Sequence, residues 1–263
     1  MPESLYNFKM RNKILCLSRA PLQYKAGIPS YCKFFYSFIK NKEIDFVNID
    51  LNSTINKLIE TNQTKRLKEF TYPAFLRFYT ISISLKYFWH IFSKCNQYKY
   101  IHLNHPDPYS SICLLALFIF KKENNIIVTW HADVYKKYLI FAPFFFLIDF
   151  FIFFNAKRII FHTHSHIRSS IFGKFKFIRK KSLIIPHLLE DEKNIPERFT
   201  PIEFPPLKEK FKFISIGRLV GYKGYKFAIK ALSKVDFEYE YLIIGNGPLK
   251  KNLQKYIFKL NLN

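Results

Sequence analysis

The sequence predicts an α/β fold with two doubly wound domains, the second of them incomplete. Short apolar runs of strand length recur along the 263 residues, and helix-length segments separate most of them. This alternation is typical of parallel strands with helices on both faces of the sheet. A charged, proline-rich stretch near residue 200 interrupts the alternation, and only two strand and helix pairs follow it.

In the N-terminal part, the apolar runs that have the length of buried strands are Ile14–Leu17, Phe46–Ile49, Tyr100–Leu103, Ile126–Thr129, Ile159–Phe161 and Leu183–Ile185. The segment after the first run, PSYCKFFYSFIK, has the spacing of one helical face at Tyr31, Phe34, Phe35, Phe38 and Ile39. Pro29 suits the first position of that helix.

Residues 52–97 are less regular and are interpreted only as a connection. Within them, TNQTKRLKEF has the polarity of a solvated loop or helix end. The following TYPAFLRFYTISISLKYFWHIF has the apolar content of a single helix.

The prolines and charges between residues 187 and 210 indicate a linker, which places the domain boundary there. We therefore expect an N-terminal domain over residues 1–195, a linker over 196–210 and a partial C-terminal domain over 211–263. In the C-terminal domain the strands FKFISIG and YEYLIIG alternate with a helix over residues 224–235 and a helix that opens at Pro248.

The composition restricts the partners and the compartment. A net charge of +23, from 42 Lys and Arg against 19 Asp and Glu, favours an anionic partner such as nucleic acid, a phospholipid surface or a phosphorylated substrate. The sequence has no recognisable nucleic-acid-binding motif, so specific nucleic-acid binding is not expected. Its four cysteines lack CxxC spacing and predict buried free thiols. The N-terminus lacks a signal-peptide pattern, which favours the cytoplasm.

The stretch GRLVGYKG, residues 217–224, combines a strand end, a glycine turn and two basic side chains ahead of a helix. Arg218 and Lys223 have the charge to bind a diphosphate, together with the free N–H groups and positive dipole end of the helix. Such a site needs no metal ion. An ordinary basic βα turn is the alternative interpretation of the same pattern.

The stretch GRLVGYKG, followed by LIIGNGPLKKNL, resembles the sugar-donor domain of glycosyltransferase family 4, whose bacterial members include retaining enzymes of polysaccharide and lipopolysaccharide synthesis. The resemblance implies a GT-B fold of two Rossmann-like domains and a nucleoside diphosphate sugar as substrate. It also implies that Arg218 and Lys223 contact the diphosphate, and that Gly217, Gly245 and Gly247 belong to turns that border the nucleotide.

Two N-terminal motifs agree with this resemblance. AGIPSY, residues 26–31, resembles the family's glycine loop, in which Gly27 lies close to the phosphate because it has no Cβ. IIVTWHADV resembles the stretch that brings a histidine into the cleft near the transferred sugar, which implies a catalytic role for His131. Asp133 of the same motif is a candidate contact on the acceptor side.

Other histidines lie near predicted strand ends. His102 and His105 are candidate acceptor contacts in the same cleft, where parallel sheets bind ligands. In HTHSH, an extended chain would bring His162, His164 and His166 to one face, as in a zinc site. No fourth ligand is evident, so we expect no metal.

The apolar segment from Tyr138 to Phe154 is at the short limit for spanning a bilayer, and Pro143 and Asp149 argue against a span. We expect a partly buried helix that also touches a membrane surface. Basic residues lie near both of its ends: Lys136, Lys137, Lys157 and Arg158.

Taken with the resemblance, these observations predict transfer of a hexose to a glycan or lipid-linked acceptor in capsule or lipopolysaccharide synthesis, at the inner face of the cytoplasmic membrane. The family's pair of glutamates, which hold the sugar and ribose, is absent from the 263 residues. We therefore expect this form to be truncated and to have little or no activity. The alternative is a non-catalytic membrane-associated protein on a degenerate glycosyltransferase scaffold.

Overall fold

The computed structural model describes residues 13–24, 27–50, 55–78, 81–120, 125–133, 141–187 and 211–262. The chain divides into two compact units, Met1–Ile195 and Pro196–Asn263. This division lies where the sequence predicts the end of the N-terminal domain. The predicted linker, residues 196–210, lies outside the described residues.

The N-terminal unit alternates strands and helices. Its strands are β1 (Lys13–Leu17), β2 (Glu43–Ile49), β3 (Ile59–Asn62), β4 (Leu67–Tyr72), β5 (Leu76–Phe78), β6 (Ile81–Ile83), β7 (Tyr100–His105), β8 (Ile126–Trp130), β9 (Arg158–Phe161) and β10 (Ser182–Ile184). Its α-helices are α1 (Gly27–Ser37), α2 (Leu85–Lys94), α3 (Pro108–Ile119), α4 (Ala142–Asn155), α5 (His164–Ser169) and α6 (Lys176–Lys181).

Eight of these strands form one sheet in the order β10-β9-β8-β7-β1-β2-β4-β3, and β5 pairs with β6 in a separate hairpin. Neighbours in the large sheet are parallel, apart from the antiparallel pair β3 and β4. The chain builds outward from β1 first to β2 and later to β7. The carboxyl ends of the parallel strands therefore meet at one edge on both sides of this switch point, where α/β proteins bind ligands.

Alternate residues of β1 show why the apolar runs form this sheet. Leu15 and Leu17 belong to the hydrophobic core on one face, whereas Ile14 and Cys16 belong to the core on the other. Successive side chains of a strand point to opposite faces, so a strand covered on both sides is apolar throughout. All four cysteines are buried and free, as predicted.

The structure corrects the interpretation of residues 52–97. The stretch expected to be a solvated loop or helix end contains the start of β4, in which Leu67 and Phe70 are buried. The stretch expected to be one apolar helix contains the β5–β6 hairpin, and its helix, α2, begins only at Leu85. Ser84 sets that start because its side chain accepts a hydrogen bond from the N–H of Tyr87.

The apolar segment before residue 155 forms the 14-residue helix α4. Phe145, Ile148 and Ile152 are buried in the core of the unit, so the helix is partly buried, as expected. Among the helices of the described residues, none has both the length and the apolarity needed to cross a membrane. Residues 134–140, which include Lys136, Lys137 and the start of the predicted segment, lie outside the described part of the chain.

The C-terminal unit contains β11 (Phe211–Ile216), α7 (Tyr225–Leu232), β12 (Tyr239–Ile244) and α8 (Lys250–Lys259). The two strands are parallel and pair from Phe211 with Tyr239 to Ile216 with Ile244. Leu219, Tyr225, Ile229 and Leu253 form the buried core of this unit. The order of strands and helices is the one predicted from the sequence.

Candidate functional site

Histidines follow three neighbouring strands at the carboxyl edge of the N-terminal sheet. His131 comes directly after β8, His162 directly after β9, and His187 three residues after β10. Thr129 of β8 pairs with Ile160 of β9, and continuing that register by two residues brings His131 beside His162. The parallel pairing therefore gathers side chains that are far apart in the sequence.

His131 is held at both ring nitrogens. Its Nε2 lies 3.3 Å from Oδ1 of Asn104 on β7, and its Nδ1 lies 3.2 Å from Nε2 of His162. The backbone N–H of His131 donates to the carbonyl of His105, which continues the β7–β8 ladder. Because these contacts fix the ring, His131 is an oriented and half-buried imidazole.

Aromatic rings surround the histidines. The ring of His187 stacks on that of His162 with a centroid distance of 3.8 Å. Tyr31 of α1 presents its ring at steep angles to His131, His162 and His187, with centroid distances of 5.0, 4.9 and 5.4 Å. We call His131, His162, His187 and Tyr31 the histidine cluster.

Burial keeps the cluster neutral. It lowers the pKa of His131 to about 2, and the neighbouring histidines, His162 first, add to this effect through charge repulsion. Burial also lowers the pKa of His162 and that of His187. At neutral pH, His131 is therefore an uncharged imidazole that can both donate and accept a hydrogen bond.

His102 and His105 do not line an open cleft, which corrects the expectation that they contact an acceptor. His102 is buried between the hydroxyls of Tyr36 and Thr129, and burial lowers its pKa to about 3. His105 is buried against Asp149, with 3.1 Å between Nε2 and Oδ2. His102 lies inside the apolar run, and β7 extends two residues beyond that run to His105, so both histidines lie within the packed strand.

Asp133 and Gly27 border the same edge of the sheet. The carboxylate of Asp133 accepts hydrogen bonds from the indole N–H of Trp130 and the backbone N–H of Ile171, both at 2.8 Å. These contacts give Asp133 a structural role in the loop after β8. Gly27 is the first residue of α1, and a Cβ built there meets no atom within 4 Å. Its role as a loop that approaches a phosphate remains a prediction, and Ala26 lies outside the described residues.

The alternating histidines of HTHSH are not on one extended face. His162 is buried at the strand end, whereas His164 begins helix α5 and is exposed. The N-cap of that helix is Thr163, whose hydroxyl accepts from the N–H of His166. Across the described part of the chain, no three His, Cys, Asp or Glu side chains form a group that could hold a metal ion.

In the C-terminal unit, Arg218 and Lys223 lie between the end of β11 and the start of α7. Both side chains are exposed, and within the described residues neither pairs with a carboxylate. The Lys223 ammonium lies 5.7 Å from the ring centre of Tyr222. Two free cations thus stand next to the N-terminus of an eight-residue helix, an arrangement that suits an anion.

The predicted glycine turns of this unit pack against each other. A Cβ on Gly245 would lie 1.9 Å from the carbonyl oxygen of Gly217, and a Cβ on Gly247 would lie 2.5 Å from that of Leu219. Backbone hydrogen bonds join the two turns, from Gly217 N–H to the Ile244 carbonyl and from Leu219 N–H to the Asn246 carbonyl. The absence of a side chain is therefore required at Gly245 and Gly247 by this close approach.

Sequence reasoning singled out His131 but missed three of its neighbours. The sequence places His187 at the start of the proline-rich stretch, and its motifs do not bring Asn104 or Tyr31 into the site. The available signal was that His131, His162 and His187 all come shortly after strand-length runs. Because parallel strands end at one edge, these positions had to lie close together.

Residues 198–263, which include the basic turn, match the family described as Glycosyl transferases group 1. An uncharacterized glycosyltransferase of Methanocaldococcus jannaschii is 33% identical over 151 residues, which make up 55% of this chain and 36% of that protein. The chain thus spans about a third of the length of this curated relative.

Solved glycosyltransferases share the fold. The lipopolysaccharide outer core galactosyltransferase WaaB superimposes with a TM-score of 0.58 at 16% identity, over 95% of this chain and 65% of WaaB. The α,α-trehalose-phosphate synthase (UDP-forming) of Burkholderia vietnamiensis gives 0.58 at 11% identity, over 95% of this chain and 68% of the synthase. The chain therefore has the α/β fold of the GT-B glycosyltransferases, and its residues 198–263 match Glycosyl transferases group 1.

Proposed function

We propose that this protein belongs to a metal-independent, retaining glycosyltransferase of family 4 type, which transfers a hexose from a nucleoside diphosphate sugar to a glycan or lipid-linked acceptor in surface polysaccharide synthesis. The observation that carries the proposal is the pair of free cations, Arg218 and Lys223, at the strand end ahead of α7. The family match over residues 198–263 supports it, because the match includes both cations.

The chemistry of each unit suits one part of this reaction. Arg218 and Lys223 supply charge-assisted hydrogen bonds to the diphosphate of the sugar donor, so the leaving group is neutralised without a metal ion. In the N-terminal unit, His131 is neutral and oriented, so a sugar hydroxyl that takes the place of Asn104 at Nε2 can hydrogen-bond the ring. Gly27 and the turns at Gly217, Gly245 and Gly247 are the proposed positions of close approach to the nucleotide.

Binding of nucleoside diphosphates tests the sugar-donor side. We expect Arg218→Ala and Lys223→Ala each to weaken binding of UDP or GDP by about tenfold or more, because each removes a charge-assisted contact. Isothermal titration calorimetry in the presence of EDTA measures this effect and the independence from metal together. Lys230→Ala is the matched control, since Lys230 is another exposed lysine of the same unit.

Unchanged affinity in Arg218→Ala and Lys223→Ala would contradict the proposal, as would loss of binding in EDTA.

The expectation that the 263-residue chain has little activity stays a prediction, and radiolabelled sugar transfer by the purified chain tests it. Transfer that Arg218→Ala abolishes would refute low activity while supporting the proposed reaction.

We further propose that the N-terminal unit contacts an anionic membrane surface from the cytoplasmic side. On α4, Phe144, Leu147 and Phe154 are 56%, 65% and 53% exposed, whereas Phe145 and Ile148 on the same helix are buried. The ring of Phe154 packs on Phe177 of the basic helix α6, with 5.3 Å between centroids. Exposed aromatic side chains beside a basic helix are typical of surfaces that enter the lipid headgroup region.

Vesicle flotation tests this surface. The variant Phe144→Ser/Leu147→Ser/Phe154→Ser should bind phosphatidylglycerol-containing vesicles about tenfold more weakly, because it removes the apolar contacts and leaves the charge unchanged. Phe258→Ser is the matched control, since Phe258 is 77% exposed in the C-terminal unit. Equal binding by the triple variant and the parent chain would refute the surface.

A further inference from the structure

Three contacts in series join Asn104, His131, His162 and Ile185. Asn104 Oδ1 lies 3.3 Å from His131 Nε2, His131 Nδ1 lies 3.2 Å from His162 Nε2, and His162 Nδ1 lies 3.0 Å from the carbonyl oxygen of Ile185. Both ring nitrogens of both histidines are therefore engaged. All four residues lie in the N-terminal unit.

Both ends of this series accept hydrogen bonds. The Ile185 carbonyl has only lone pairs to offer. The side-chain nitrogen of Asn104 lies 3.2 Å from the Leu17 carbonyl oxygen and 3.3 Å from Cys16 Sγ, so its two hydrogens face those acceptors. This arrangement leaves the Asn104 oxygen facing His131.

The series therefore has one proton fewer than it needs when both histidines are neutral. Each of the three contacts requires one N–H, and two neutral imidazoles carry one N–H each. One contact must then place two lone pairs against each other. A single added proton completes all three hydrogen bonds, and that proton belongs to both rings because either nitrogen of the central contact can carry it.

The surroundings of His131 and His162 prevent the pair from binding this extra proton at neutral pH. The titratable groups that face the pair are Tyr31 from α1, His102 and His105 from β7, His166 from α5 and His187 after β10. Burial and these imidazoles disfavour positive charge on the pair. The uncharged pair thus retains one unmade hydrogen bond, which a hydroxyl hydrogen or an added proton can complete.

We propose that His131 and His162 bind one proton as a unit, and that His162 is a positioning residue that determines which ring nitrogen of His131 carries its hydrogen. The proposed function enters only in taking the ligand at His131 to be a sugar. In that reaction, a sugar hydroxyl would displace Asn104 from His131 Nε2, and His162 would decide whether that nitrogen donates or accepts.

Nitrogen-15 NMR of histidine-labelled protein tests the shared proton directly. In the parent chain, the ring nitrogens of His131 and His162 should shift together in a pH titration, with a single midpoint below the ordinary histidine range. Two separate midpoints, or a shift confined to one ring, would overturn the proposal. This titration needs no variant and no activity.

Two substitutions separate the contacts of His162. In His162→Asn the amide reaches the position of Nδ1, so it keeps the Ile185 contact and loses the His131 contact. In His162→Gln the amide N–H reaches the position of Nε2 and donates to His131 without taking up a proton. We expect Asn to change the His131 tautomer signals and Gln to fix the hydrogen on Nε2, whereas the control His164→Gln leaves them unchanged.

If the tautomer signals of His131 are the same in the parent chain, His162→Asn and His162→Gln, then His162 does not position it. Sugar transfer is measured separately, as a pH profile of the parent chain and His162→Gln. A shared titration in a chain that binds no nucleotide would contradict the proposed function alone, whereas nucleotide binding with independent titrations would contradict the proton unit alone.

Discussion

Strands β1 and β11 have similar apolar sequences, KILCL and FKFISI, and opposite environments. In β1 four of the five residues are buried, whereas in β11 every residue is exposed or half-buried. The neighbouring strand β12 shows the reason: Tyr241 and Ile243 pack against α7 and α8, while Leu242 between them is 37% exposed. An apolar run therefore indicates a parallel strand, but the elements packed on its faces decide how much of it contributes to stability.

The largest expected difference between the two sheets is in the cost of removing an isoleucine. Ile101→Ala in β7 should destabilise the N-terminal unit by about 2–5 kcal/mol, because the side chain is fully buried and leaves a cavity. Ile214→Ala in β11 should cost less than about 1 kcal/mol, because the side chain is 57% exposed. Hydrogen exchange in each unit, followed as a function of urea concentration, measures both losses of unfolding free energy. Equal losses for Ile101→Ala and Ile214→Ala would contradict the difference between the two sheets.

Acidification should affect only the N-terminal unit, since all eight histidines lie there. Burial lowers the pKa of His90 to about 4 and that of His102 to about 3. Between pH 7 and pH 5 the unfolded chain binds protons at these histidines and the folded unit does not. The stability of the unit therefore decreases as the pH is lowered. The expected loss is about 2 kcal/mol for each histidine.

Trp89 and Trp130 are the only tryptophans in the sequence, and both lie in the N-terminal unit, so their fluorescence reports its urea unfolding. His102→Gln removes one of the titrating groups and should reduce the loss between pH 7 and pH 5 by about 2 kcal/mol. A loss of the same size in this variant would show that His102 is not the source.

The smallest expected effect distinguishes two glycines of the C-terminal unit. Gly245→Ala should destabilise that unit by about 1–3 kcal/mol, because its Cβ overlaps the Gly217 carbonyl at 1.9 Å. Gly221→Ala is the matched control, since a Cβ there meets no atom within 4 Å. Amide exchange in β12 measures the difference, and equal protection in both variants would mean that the two turns separate readily.

Much of this fold follows from the sequence, because strands covered on both faces give uninterrupted apolar runs. The exception is residues 52–97, where the β5–β6 hairpin exposes Phe75, Leu76 and Phe78. Because its exposed residues are also apolar, the hairpin lacks the alternation of apolar and polar residues that marks a half-exposed strand. The segment therefore resembles an apolar helix. The start of α2 was nevertheless encoded locally, in the cap that Ser84 provides.

The candidate site was only partly predictable for a different reason. His131 is identified by its local motif, but its contacts with Asn104, His162 and His187 depend on the register of β7, β8, β9 and β10. The prediction is wrong for His102 because it lies inside the apolar run, and for His105 because the strand continues past that run; hydrogen bonding buries both side chains. The sequence shows that His131, His162 and His187 follow strand-length runs, but it does not encode the individual contacts or the burial of His102 and His105.

The two hydrogen bonds of Asp133 have a consequence for recognition at this edge of the sheet. They tie the residues after β8 to the indole of Trp130 and to the backbone at Ile171. Residues 131–133 are therefore held in place by folding, before any ligand arrives. A ligand that contacts His131 would then pay little conformational entropy at residues 131–133, because these residues are already preorganised.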